Sequence, residues 1–116
     1  MDIYHIWFDL KDGVRDLDFT DSARAYFEHL KTDQRLAAWR ITRRKLGLGH
    51  PNLPPWHITL EFENLGQMDD AFLHVATRND PVETFHHAVN SKVTGIFFAL
   101  YRDFPDAGRQ RGHERF

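Results

Sequence analysis

The sequence predicts an α+β domain, one antiparallel sheet with its helices on a single face. Three observations predict it. Residues 4–10 and 56–63 alternate in character with the two-residue period of a strand. Residues 19–30 and 82–93 carry apolar side chains at helical spacing. The elements follow one another as strand, helix, strand, strand, helix, strand, the order of the split βαβ, ferredoxin-like arrangement.

In the first strand Tyr4, Ile6, Phe8 and Leu10 fall on one face, and His5, Trp7 and Asp9 on the other. A strand bulky on both sides belongs in the middle of a sheet. Lys11-Asp12-Gly13 turns the chain, with Gly13 free to take a positive φ. Residues 14–19 read as a connector, and Thr20 or Asp21 as the cap of the first helix. Phe19, Ala23, Tyr26, Phe27 and Leu30 form the apolar stripe of that helix. Arg24, Glu28 and Lys31 fall off it. From Trp39 the period changes to two and β-branched residues enter, so residues 38–46 read as the second strand. A helix running on through Leu36-Ala37-Ala38 to Lys45 is the alternative.

Residues 47–55 form a loop on composition. Gly47 and Gly49 are not a dinucleotide fingerprint, because the third glycine is missing and prolines follow where a helix should open. No cofactor is expected. In the third strand Trp56, Ile58, Leu60 and Phe62 point one way, and His57, Thr59, Glu61 and Glu63 the other. Asn64 to Gln67 reads as a turn, and Met68, Ala71, Phe72 and Val75 mark a short helix. Asp80-Pro81-Val82-Glu83 opens another: Asp80 caps, Pro81 suits the first helical position, and Glu83 reaches back to the cap amide. Val82, Phe85, His86, Val89 and Val93 are its stripe, and Gly95 ends it. Ile96 to Tyr101 is the last strand. The expected organisation is a single domain over residues 1–106 and a flexible tail over 107–116, which lacks periodicity.

By analogy with the fold, the strand order is 4-1-3-2 and one face of the sheet has no helix. The identity of that uncovered face decides assembly. If Tyr4, Ile6, Phe8 and Leu10 occupy it, their burial is worth about 6–12 kcal/mol per protomer. Association costs about 4–15 kcal/mol, and two protomers contribute. A homodimer paired face to face through a two-fold axis is the expectation. If His5, Trp7 and Asp9 face outward instead, the interface is more polar and the dimer weaker.

Composition narrows the partners. Hydrophobic residues make up 41%, with ten Phe, three Trp and three Tyr to carry the packing. A net charge of −2 and a pI near 6.4 give no field for nucleic acid or an anionic membrane. Arg40, Arg43, Arg44 and Lys45 form a basic run, which reads as a solvated strand edge. An RNA-binding sheet of the same topology would need glycine and exposed aromatics where Glu61 and Glu63 stand. There is no cysteine, in keeping with a cytoplasmic protein. No apolar run approaches the roughly 20 residues that span a bilayer. Met1-Asp2-Ile3-Tyr4 lacks the shape of a secretory signal. No metal is expected: His86 and His87 are adjacent rather than four apart, and His57 and Glu61 stand two pleats apart.

The stretch from His5 through Trp7-Phe8 and Lys11-Asp12-Gly13 to Val14 resembles the opening of stress-responsive α/β-barrel domains, a branch of the dimeric α/β-barrel superfamily. Phe62-Glu63-Asn64-Leu65 through Ala71-Phe72 is similar to the Phe-Glu-then-helix segment of those domains. His86-His87-Ala88-Val89 and the closing strand to Asp103 resemble their C-terminal part. The likeness covers most of the chain through short motifs. It implies a ferredoxin-like protomer and a dimeric barrel. It also implies relatives that are cofactor-free enzymes, among them polyketide cyclases with a strand histidine and a helix histidine, beside monooxygenases, haem-degrading proteins and proteins of no known activity. The His-Pro-x-His segment of that family is broken here, with Asp80-Pro81 and His86-His87 apart.

His5 matches the strand position. His86 lies on the apolar stripe while His87 points about 100° away, which makes His86 the helix candidate. A neutral imidazole can take a proton α to a carbonyl at neutral pH. In that reading His86 is the base, His5 orients the substrate or donates to its oxyanion, and Trp7, Tyr26 and Phe72 wall an apolar pocket. The alternative is two core-edge histidines bonded to backbone carbonyls. Three functions are open: a binder of a small apolar or aromatic metabolite, a cofactor-free cyclase, lyase or monooxygenase, and an interaction domain without a ligand site.

Overall fold

The computed structural model describes residues 1–113. Its elements are β1 (Asp2–Leu10), α1 (Asp16–Thr32), β2 (Ala38–Arg43), β3 (Trp56–Phe62), α2 (Leu65–Ala76), α3 (Val82–Asn90) and β4 (Val93–Arg102). All pairings are antiparallel and the sheet order is β2-β3-β1-β4, the ferredoxin-like order expected.

Several boundaries differ from those read off the sequence. Helix α1 opens at Asp16, ahead of Thr20 and Asp21. Arg15 gives no side-chain cap, and Asp16 and Asp18 in the first turn favour the helix dipole instead. The turn assigned to residues 64–67 is the start of α2. Asn64 Oδ1 accepts the Gln67 amide at 2.8 Å, and Gln67 Oε1 accepts the Glu63 amide at 2.7 Å, so two orphan donors are satisfied reciprocally. The N-cap of α3 is Pro81 rather than Asp80, so the proline stands one place before the first helical position, while Asp80 Oδ1 accepts from the amide and hydroxyl of Thr84 in the first turn at 3.2 and 2.7 Å. Glu83 does not reach back to an amide. Its carboxylate lies between Arg78 and His86. Val93 belongs to β4 rather than α3, and Gly95 does not end a helix. Gly95 sits inside β4 at φ 62, where the register against β1 slips between Trp7 and Asp9. That is a bulge, and glycine takes its left-handed backbone without penalty.

The core lies between the helices and one side of the sheet. Strand β3 alternates strictly, with Trp56, Ile58, Leu60 and Phe62 buried. The register sets Phe8 beside Trp56, Ile6 beside Ile58 and Tyr4 beside Leu60, so all belong to the helix-covered side. They pack with Phe19, Ala23, Phe27 and Leu30 of α1. Phe19 meets Phe8 at 5.2 Å and Trp56 at 5.5 Å between ring centroids. The Tyr4-Ile6-Phe8 side is therefore not the uncovered face. That face carries His5 and Trp7, with His57, Phe97 and Tyr101 as neighbours. The physical reason is aromatic volume: the stripe of α1 fits the all-apolar side of β1 and β3, not the side with imidazoles and glutamates.

Coverage stops short of β4. Phe98, on the helix side, is 60% exposed, and Tyr101, on the other side, is also 60% exposed. The sheet ends are tied by charge, Arg102 Nε donating to the buried Asp2 carboxylate at 2.6 Å. The basic run is partly absorbed locally. Arg43 reaches Asp16 at 3.2 Å and lies over the Trp56 ring, and Arg44 donates to the carbonyls of His50 and Leu53. Beyond β4 the chain makes turns, with Asp106 and Gln110 carbonyls accepting the amides of Arg109 and His113. Residues 114–116 of the expected tail lie outside the described residues.

Two substitutions test this packing by urea denaturation. Phe19→Ala, at a fully buried ring, lowers the unfolding free energy by about 3–5 kcal/mol. Gly95→Val, which forces a β-branched residue to positive φ, lowers it by about 1–3 kcal/mol.

Candidate functional site

A cavity of about 410 Å³ lies between the sheet and the helices. Ile6, Phe8, Ile58 and Leu60 form its floor, all on the helix-facing side of β1 and β3. Helix α1 contributes Tyr26 and Phe27, α2 contributes Phe72 and Val75, and α3 contributes His86 and Val89. The open side is bounded by Ile96 and Phe98 of β4. The size and apolar lining are those of a small-molecule site. Rigid rings maintain part of the wall: Tyr4 meets the edge of Phe72 at 5.2 Å and stacks on Phe98 at 5.6 Å. Burial pushes the Tyr4 hydroxyl above its ordinary pKa.

The polar groups in the lining include Tyr26, Arg78, His86 and Asn90. His86 Nδ1 lies 3.7 Å from Glu83 Oε2, and neither buried atom has a hydrogen-bond partner among the described residues. Arg78 Nη1 stands 3.5 Å from the other oxygen of Glu83. The Tyr26 ring approaches His86 edge-on at 6.0 Å. Burial, and then the Glu83 charge, push the Tyr26 hydroxyl up to about 12. Tyr26 therefore remains a protonated donor at neutral pH, beside the imidazole of His86.

The structure brings together three of the five residues singled out in the sequence. Tyr26, Phe72 and His86 share the cavity, while His5 and Trp7 lie on the opposite face of the sheet. The expected convergence of His5 with His86 is corrected. Strand alternation sends odd-numbered β1 side chains away from the helices, and Tyr4 lines the cavity instead. Trp7 is likewise not a cavity wall. Sequence reasoning missed Tyr4, Arg78, Glu83 and Asn90. The alternation that paired Tyr4 with Phe8 was the available signal for the first, and Glu83 was assigned to a cap.

His5 has a different partner. Its Nδ1 lies 2.9 Å from Nε2 of His57, and the two rings stack with Trp7 at interplanar angles of 7–12°. One of those two nitrogens must be an unprotonated acceptor, so the contact is lost when both rings carry two protons. Burial holds the pKa of His5 below its ordinary value, and burial with the charge of His5 lowers that of His57. A lowered histidine pKa gives stability that is fully present above the unfolded value of 6.5 and is lost as pH falls through it toward the folded value. The urea midpoint should accordingly fall between pH 7 and pH 5, and His57→Phe should flatten that dependence. Among the described residues no group of three or more His, Cys, Asp or Glu is disposed to hold a metal ion, and no helix is long and apolar enough to cross a membrane.

No curated protein matches this chain. Solved structures do. One from Arabidopsis thaliana superposes with a TM-score of 0.71 at 10% identity, covering 92% of this chain and 99% of its own. A dimeric ferredoxin-like protein of unknown function from Jannaschia sp. CCS1 gives 0.62 at 13% identity, covering 89% and 100%. A dabb family protein with a ferredoxin-like fold from Mesorhizobium loti gives 0.56 at 10% identity, covering 89% and 96%. Likeness at such identities is likeness of fold, and it agrees with the strand order and helix placement described above. At the level of sequence, residues 1–116 match one family from end to end, and the chain belongs to it: the family of unknown function DUF6614.

Proposed function

We propose that the protein is a homodimeric ferredoxin-like domain of the stress-responsive α/β-barrel type, whose cavity binds a small apolar or aromatic molecule. The cavity itself carries this reading. It is floored by aliphatic and aromatic side chains, with a few polar groups in the lining that fix a ligand's orientation. Tyr26 and Phe72 wall the ligand, together with Tyr4, and His86 is the titratable group that meets it. The cavity also weighs against an interaction domain without a ligand site.

Pairing of two copies rests on the uncovered face. Trp7, Phe97 and Tyr101 form an aromatic surface there, with Phe97 52% exposed, and apolar surface of that kind marks an interface. The related folds from Jannaschia and elsewhere are described as dimeric. His57, Thr59 and Glu61 lie on the same face, so the interface is the more polar of the two forms that the sequence allowed. Packing one sheet on the other about a two-fold axis closes a barrel.

A second reading has a specific observation in its favour. His86 faces an apolar cavity, open along β4, beside a protonated phenol, the arrangement of a general base next to a hydrogen-bond donor. A cofactor-free cyclase, lyase or monooxygenase would use His86 without His5, which is across the sheet.

The apolar fluorophore N-phenyl-1-naphthylamine tests the ligand site. The wild type should enhance its emission saturably, and Val89→Trp, which fills the cavity, should abolish the effect. No enhancement by the wild type sinks the proposal. Sedimentation equilibrium tests assembly: a dimer at micromolar concentration is expected, with Phe97→Lys shifting it to monomer. A wild-type monomer would refute the pairing.

A further inference from the structure

The polar groups of the cavity carry more than apolar binding. From the geometry at Glu83 and His86 we infer that the carboxylate holds His86 in its Nδ1–H tautomer, so that the cavity selects an uncharged ligand whose hydroxyl, phenolic or enolic, donates to Nε2. The ligand part rests on the apolar-cavity reading above. The tautomer part does not.

Glu83 and His86 stand three residues apart on α3, so the helix puts both side chains on one face. The two atoms that approach are Glu83 Oε2 and His86 Nδ1, at 3.7 Å. Both are buried, and among the described residues neither has a hydrogen-bond partner. The distance is longer than a hydrogen bond, so the preference is electrostatic. An N–H dipole directed at a carboxylate is attractive, and a lone pair directed at it is repulsive. An ionised carboxylate can only accept. The nitrogen facing it is therefore the protonated one.

A neutral imidazole carries one N–H, and with that proton on Nδ1 the lone pair is on Nε2. His86 lines the cavity, and Nε2 is the ring nitrogen not sealed from solvent. Beside it is Tyr26, whose hydroxyl keeps its proton at neutral pH. The two residues thus offer one acceptor and one donor. A hydroxyl is the small group that answers both, donating to Nε2 and accepting from the phenol. Charge narrows the class again. Arg78 lines the cavity too, but its side chain is 67% exposed and screened by water. That of Glu83 is 28% exposed with one oxygen buried against His86, so beside the imidazole the carboxylate field prevails and disfavours a second anion. The rest of the lining asks for a flat or branched hydrocarbon body.

The test has two arms. In the first, long-range proton–nitrogen NMR spectra at pH 8 read the His86 tautomer in the ligand-free protein. Nδ1–H should dominate in the wild type, and Glu83→Gln should move the population toward Nε2–H. A wild-type Nε2–H tautomer, or one that Glu83→Gln leaves unchanged, overturns the role of Glu83. In the second, calorimetry compares three naphthalenes of similar shape. 1-Naphthol should bind about five- to tenfold tighter than 1-methoxynaphthalene, the worth of one net hydrogen bond, and also tighter than 1-naphthoate. His86→Ala and Glu83→Gln should erase the preference for the hydroxyl. Equal binding of the naphthol and its ether would leave the apolar cavity standing and refute the selection. Binding of none of the three would refute the cavity reading and the ligand class, while the tautomer spectra would still decide the part played by Glu83.

Discussion

Strand β1 is hydrogen-bonded on both sides, to β3 and to β4, and its two-residue alternation governs the rest of the molecule. Tyr4, Ile6 and Phe8 turn under the helices, and His5 and Trp7 turn to the free face. A slip of one residue would exchange those sets. It would drive an imidazole and an indole against the phenyl stripe of α1 and leave Phe8 in water. Phe8, Phe19 and Phe62 are among the largest fully buried side chains, and their fit prevents that slip. The cavity and the aromatic outer face are two consequences of one register.

The cavity follows from incomplete coverage. Three helices pack over β1, β2 and β3, while β4 extends past them with Ile96, Phe98 and Leu100 still exposed on the helix side. A void under a helix layer loses dispersion contacts along its lining, so collapse would be favourable if the walls could move. Here the walls include rings in mutual contact, Tyr4 with Phe72 and Phe98, and Tyr26 with Phe27. The bulge at Gly95 adds a local kink to β4 where it passes the start of the cavity rim. Apolar space is kept open by stiff side chains, and polar groups enter it from the helices.

The outer face has a different chemistry. His5, His57 and Trp7 form a stack of near-parallel rings, with Tyr101 set against His5 edge-on. The imidazoles satisfy each other, so the sheet can present them to a neighbouring surface without orphaned nitrogens between the two rings. The two histidines that the sequence suggested as a pair thus serve separate places. His86 belongs to the cavity, and His5 belongs to the face of the sheet that no helix covers.

What the sequence determined by itself was local. The alternation of Trp56 to Phe62, the stripe of Phe19, Ala23, Phe27 and Leu30, and the order of the elements all depend on near neighbours along the chain, and these identify the strands, the first helix and the ferredoxin-like plan. A helix histidine was what the family resemblance implied, and helical spacing chose His86 over His87 and put Tyr26 on the apolar stripe of the first helix. The tertiary structure decided which side of β1 the helices cover, because that depends on how well rings 10 to 50 residues apart interlock. It decided that Tyr4, not His5, shares a cavity with His86, and that Glu83 faces an imidazole rather than a backbone amide. Each of those outcomes is a choice between two locally equivalent directions, and only the packing of distant elements distinguishes them.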